Sequence, residues 1–292
     1  MNNTPETLLT EDPPKPLSTV ADLPKTWQPF AERANAQEEA KSKKVGVLST
    51  ITRKRRRRPV FAVLAGPPGI GKSTLLSMAP EVVFSPIERG LDSINVQKFP
   101  IPATLGEYKE HVTALLHEEH SYETYVIDTL DALELLVWKQ VTVEGKCRSV
   151  EDYGGGFQKG YIRAKEIFIA ILNQLLELSE KMNVWMICHS QLKAVNDPTL
   201  STSYDVYDLK LHSKATDVVQ QKVDCILFGK MEISVTKDSP KARKGRAINT
   251  GDRLLYCQPQ TGVMAKNRYD MPETIEFSYE AIEKCLNDFW NK

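Results

Sequence analysis

The sequence has no surplus of charge of one sign: 38 Lys and Arg residues balance 38 Asp and Glu, and the formal net charge is zero. That excludes a uniformly basic nucleic-acid binder, so any such contact must come from local patches. Cysteine is scarce. The five present, Cys147, Cys188, Cys225, Cys257 and Cys285, form no CxxC pair and do not cluster with the five histidines. This argues against metal ligation and for reduced thiols in a cytosolic protein. No apolar run approaches the roughly 18 residues of a membrane span, and the polar N-terminus lacks a signal-peptide pattern. Internal repeats are lacking as well. What is there, 292 residues of which 41% are hydrophobic, suffices for one large domain with appendages and a sizeable core.

Three segments follow one another. Residues 1–44 are rich in Pro, Thr, Glu and Ala; stretches such as EDPPKPLSTVADLPKTW hold too little apolar surface for a core, and a flexible leader is expected. Within it, WQPFAERANAQEEAKSKK could form one helix. Residues 45–58 are a basic segment ending in RKRRRR, open to three readings: a solvated tether, a contact to a phosphate backbone, or a nuclear-import signal. From residue 59 to 292 strands and helices alternate, starting with VFAVLAG. EVVFSPIE and TYVIDTL read as strands, the segment from Phe157 to Met182 as a long amphipathic helix, and VWMICHS as a further strand. This order implies an α/β fold with a mostly parallel sheet flanked by helices. DCILFGKMEISVT and RLLYCQPQTGVMAKN, without a helix between them, read as an antiparallel C-terminal extension.

The strongest motif is GPPGIGKST, which fits G-x-x-x-x-G-K-[ST] and follows an apolar strand. Gly66, Pro67, Pro68, Gly69, Ile70 and Gly71 would curl backbone N–H groups around phosphate oxygens, with Lys72, Ser73 and Thr74 opening the next helix. Lys72 would reach the β- and γ-phosphates of ATP, and the Ser73 hydroxyl would bind Mg²⁺. Asp128, ending an apolar strand, is the expected second oxygen anchor for the metal. Glu88, after the next strand, is placed to orient a water toward the γ-phosphate. In CHSQ, Gln191 and His189 fall on one face of a strand, and either could sense that phosphate, with Gln191 favoured. Lys266 and Arg268, in GVMAKNRYDMP, also share a face; they await either an anion outside the protomer or the balancing charge of Asp270 or Glu273.

Together these pieces resemble the RecA-like ATPase core: FSPIERGLDSI looks like the segment of the catalytic glutamate, HSQLK like the sensor stretch, and AKNRYDMP like the late strand with paired cations. More closely, the chain resembles the phage AAA-type nucleotide-binding family that includes the Sak-type RecA-like single-strand annealing proteins. GLDSI, FPIPATLGEY, VIDTLDALE, YGGGFQKGY and KLHSKATDVVQQKVDCILF carry that similarity over roughly residues 58–280. Arg89 beside Glu88, and YGGGFQKGY where GYGKGY is usual, depart from the pattern.

The resemblance implies an ATPase of phage DNA recombination that assembles on single-stranded DNA to promote annealing or strand exchange in the bacterial host cytoplasm. It implies a homo-oligomer, ring or filament, in which Lys266 and Arg268 act in trans on a neighbour's ATP, with a single-strand DNA-binding protein as a further partner. DNA would meet two stretches: residues 142–160 with Lys146, Arg148 and Lys159, and residues 193–213 with Lys193, Lys210, His212, Tyr204 and Tyr207, adjoined by Lys214. Both could equally be ordinary polar surface. The alternative is a nucleotide-dependent regulatory or loader module that does not itself bind DNA.

Overall fold

The computed structural model describes residues 47–53, 56–196, 198–236 and 246–292. The leader expected over 1–44, Lys54 and Arg55 of the basic run, and residues 237–245 lie outside the described residues. The chain divides into Met1–Arg56 and Arg57–Lys292. In the first unit a 3-10 turn spans Val47–Thr50.

The second unit is built on a nine-stranded sheet in the order β3-β2-β4-β5-β1-β7-β8-β9, with β6 paired to β5 off this path. β1 (Phe61–Gly66) lies at the centre and is buried along its whole length, which is why FAVLAG is an unbroken apolar run. β2 (Val82–Pro86), β3 (Gln97–Lys98), β4 (Thr124–Asp128), β5 (Asn183–Val195) and β7 (Cys225–Thr236) run parallel in this sheet. β8 (Arg246–Tyr256) is antiparallel to β7, and β9 (Thr274–Glu276) antiparallel to β8, giving the antiparallel C-terminal extension. The architecture is therefore mixed α/β, with a mostly parallel sheet flanked by helices.

The period-2 pleat of β1 divides the core. Phe61, Val63 and Ala65 face one side, under α2 (Leu105–His117), α3 (Leu130–Gly145), α4 (Lys159–Leu178) and α5 (Ser213–Lys222). Ala62 and Leu64 face the other, under α1 (Lys72–Leu76) and α6 (Tyr279–Trp290). Helix starts follow local chemistry. Thr104 caps α2 by accepting from Glu107 N, while the Glu107 carboxylate accepts from Ala103 N. Thr129, next after Asp128, caps α3 at Ala132 N.

Two expectations change and one helix is new. GVMAKN is not a strand: β8 ends at Tyr256, and beyond it Val263 and Lys266 make isolated bridges to Tyr207 and Ile226. Residues 193–213 are not an open loop, because β5 runs on past the sheet to Val195 and pairs there with β6 (Tyr204–Leu209). KATDVVQQK, which carried no helix expectation, forms most of α5, whose buried face is Ala215, Thr216, Val218 and Val219.

Candidate functional site

The parallel strands bring their C-terminal ends to one edge. β5 lies between β1 and β4, in register Gly66↔His189 and Asp128↔Ile187. The loop after β1, the end of β5 and Asp128 therefore share a cleft of about 370 Å³, lined also by Glu88, Arg89 and Thr129. Open α/β sheets hold ligands at this edge.

The loop is shaped by its glycines. Gly66 has φ +155, and a Cβ there would lie 2.7 Å from the Gly229 carbonyl oxygen on β7. Gly71 has φ +102, and its Cβ would lie 2.8 Å from Arg253 Nη1. Neither position admits a side chain without displacing a neighbour.

Lys72 is only 5% exposed, and its Nζ donates to the carbonyls of Gly66 and Pro67 at 3.0 Å each. Burial holds its pKa below the usual lysine range, against the opposing influence of Asp128, Asp131 and Glu88. Ser73 Oγ donates to Asp128 Oδ2 at 2.6 Å. Burial pushes the Asp128 carboxyl up, partly offset by that hydrogen bond. Glu88 stands two residues beyond β2, exposed, and accepts from the Thr129 hydroxyl at 3.3 Å.

The structure separates His189 from Gln191. His189 lines the cleft and is gripped by Asp131, whose carboxylate accepts from the His189 backbone N and lies on ring Nδ1, both at 3.0 Å. Burial raises the Asp131 pKa, but the hydrogen bonds from His189 outweigh it and keep the carboxyl below its ordinary value. Gln191 instead donates to the carbonyls of Leu209 and Leu211, closing the β5–β6 hairpin, and does not line the cleft.

Lys266 and Arg268 lie elsewhere. Lys266 Nζ donates to the Gln220 carbonyl at the end of α5. Arg268 Nη1 reaches Asp224 Oδ1 at 3.2 Å, and Asp224 also takes the Tyr269 hydroxyl and the Arg58 guanidinium. Asp224 N bonds to the Phe61 carbonyl, so this cluster sits at the start of β1, the edge opposite the cleft. The balancing anion is thus Asp224, not Asp270 or Glu273. Those two engage Lys292 and Gln260. Arg57 likewise folds onto Asn287, so the end of the basic run packs on the domain.

Among the described residues no group of three or more His, Cys, Asp or Glu side chains is poised to hold a metal. Ser73 and Asp128 nevertheless fit Mg²⁺, which commonly takes one or two protein oxygens and completes its shell with phosphate and water. A buried lysine, a glycine-shaped loop and this oxygen pair are what a Mg²⁺-bound polyphosphate needs. A family model described as an AAA domain matches residues 58–269, most of the chain. The chain belongs to the AAA domain family. Among curated proteins none matches. The AAA domain suggests ATPase activity and nucleotide binding in general, and the matched span contains the loop, Glu88, Asp128 and His189. Sequence reasoning missed Asp131, Thr129 and Arg253; an acidic residue in the first turn of the helix after Asp128 was the available signal for the first. No helix among the described residues is long and apolar enough to cross a membrane.

Proposed function

We propose that this chain is a Mg²⁺-dependent ATPase whose turnover responds to single-stranded DNA. The observation that carries the first half is the Ser73–Asp128 hydrogen bond beside buried Lys72, on the loop from Gly66 to Thr74. Lys72 would turn from the Gly66 and Pro67 carbonyls to the phosphates, and Ser73 and Asp128 would hold the metal. Mg²⁺, when bound, offsets charge on the phosphoryl group being transferred. Glu88, steadied by Thr129, is the group we assign to orient the attacking water. His189, fixed by Asp131, is the one we assign to meet the γ-phosphate.

The DNA half rests on the resemblance to phage recombination ATPases and on one structural neighbour. The β5–β6 hairpin starts at Ser190, one residue after His189, and the Lys210 backbone N donates to the His189 carbonyl at 2.8 Å. A polymer pressing on that hairpin would act on the residue beside the phosphate. The same resemblance extends the proposal to a head-to-tail assembly with Lys266 and Arg268 acting on a neighbour's nucleotide, for which Arg268 would first have to leave Asp224.

The test is ATP turnover with and without single-stranded DNA. We expect stimulation by DNA, and we expect Glu88→Gln to bind ATP yet lose hydrolysis. Turnover indifferent to DNA would leave the nucleotide-dependent regulatory module as the better reading.

A further inference from the structure

The cleft does not end at the phosphate loop. Gly71 and Thr74 also line a second groove of about 210 Å³, shared with Met78, Arg253, Phe277 and Glu280. On the nucleotide reading above, the terminal phosphate lies beside Ser73, Asp128, Glu88 and His189. Whatever is attached to the other end of the phosphate chain then leaves past Gly71 and Thr74, which is where this groove opens.

Its wall is a built feature. Arg253 on β8 donates from Nη1 to the Ile70 carbonyl at 2.9 Å, and its guanidinium carbon lies 5.2 Å from the centre of the Phe277 ring. Phe277 packs so closely on β7 that a Cβ on Gly229 would be 2.6 Å from its Cε2. Arg253 is exposed despite these two anchors, and Met78 beside it is 65% exposed. A planar cation, pinned at one edge and backed by an aromatic ring, presents a flat surface that costs little entropy to order further. Glu280 on the rim disfavours a second anion there.

We propose that this groove takes the nucleobase, stacked on the Arg253 guanidinium. The groove thereby makes the site selective for a nucleotide over a bare polyphosphate. A lysine could supply the charge but not the plane.

Calorimetry on the full chain with Mg²⁺ tests this, using ADP and inorganic pyrophosphate as matched diphosphates. Base stacking worth roughly 1–3 kcal/mol predicts that the wild type prefers ADP by about 5- to 150-fold. Arg253→Ala and Arg253→Lys should both bring ADP affinity close to that of pyrophosphate, leaving pyrophosphate within about threefold of wild type. Met78→Ser, at an exposed position that does not threaten folding, should weaken ADP several-fold and spare pyrophosphate. Equal wild-type affinity for the two probes would overturn the base groove. So would an equal loss of both in Arg253→Ala, since Arg253 would then only brace the loop through Ile70. Full ADP affinity in Arg253→Lys or Met78→Ser would overturn it as well. Binding of neither probe by the wild type would instead sink the nucleotide reading itself, and the groove with it.

Discussion

His189 and Gln191 are two residues apart and carry different jobs. In a strand that stayed within one sheet both would face the cleft. β5 does not stay: from Ser190 onward it pairs with β6 rather than with β1, and the alternation that put the two on one face no longer aims Gln191 at the nucleotide. His189→Ala should therefore lower kcat by about 10²-fold, the usual cost of removing a group aimed at developing charge. Gln191→Ala should leave kcat within a few-fold, with steady-state phosphate release as the assay. Asp131→Asn should fall with His189→Ala in kcat while changing KM little, since Asp131 acts through the ring it holds. A Gln191→Ala defect as deep as that of His189→Ala would reverse the assignment. The loop residues, Ser73 and Asp128 were legible because their spacing is local and their chemistry is explicit. Asp131 was missed because its importance depends on which strand lies beside the first turn of α3.

At the scale of elements, α3 grips two others one turn apart. Asp131 holds β5 at His189, and Glu134 accepts from the His212 backbone N with both carboxylate oxygens, at 3.2 and 3.0 Å, fixing the start of α5. His212 in turn stacks on Tyr161 of α4 with ring centres 4.4 Å apart. Lys165 and Lys214 line the same small cavity. Burial pushes the Glu134 pKa from 4.5 up to about 7, with Asp131 adding to the rise and the His212 hydrogen bond opposing it. An acid with a raised folded pKa binds more protons folded than unfolded between those two values, so its contribution to stability falls as pH rises from about 4.5 to about 7. Glu134→Gln keeps an oxygen for His212 and removes this liability. It should match wild type near pH 5 and exceed it by on the order of 2–3 kcal/mol at pH 8, read from denaturant midpoints. A variant equally or less stable at pH 8 would contradict the picture. β1, β2, β4, β5, β7 and β8, with α2, α3 and α4, were legible from apolar period. The short β3 and β9, β6, α5 and α6 were not. YDVYDL is a strand only because β5 overshoots the sheet to receive it, and SKATDVVQQK has few apolar residues to mark its inner face.

The parallel sheet of the second unit carries a charged cluster at each end of its strands. One gathers the loop, Asp128 and His189; the other gathers Arg58, Arg268 and Tyr269 around Asp224, which is 1% exposed. Removing that carboxylate leaves the buried Tyr269 hydroxyl without its acceptor, while the two guanidinium groups stay partly in water and Arg268 keeps the Gln221 carbonyl, so Asp224→Ala should cost about 1–3 kcal/mol. Thermal melting would show it, and a variant as stable as wild type would mean the cluster is incidental. Action of Arg268 on a neighbour's nucleotide predicts partial recovery of ATPase activity when Arg268→Ala and Lys72→Ala proteins, each nearly inactive, are mixed. No recovery despite co-assembly would leave Arg268 with Asp224 alone. The central claim, that Lys72, Ser73 and Asp128 form a working Mg²⁺–nucleotide site, is tested most directly by phosphate release from ATP in the purified full chain. Measured with Mg²⁺ and with EDTA, beside Lys72→Ala, the account predicts turnover only in the wild type with Mg²⁺. Equal release in all three, or none in any at saturating ATP with DNA present, would contradict it.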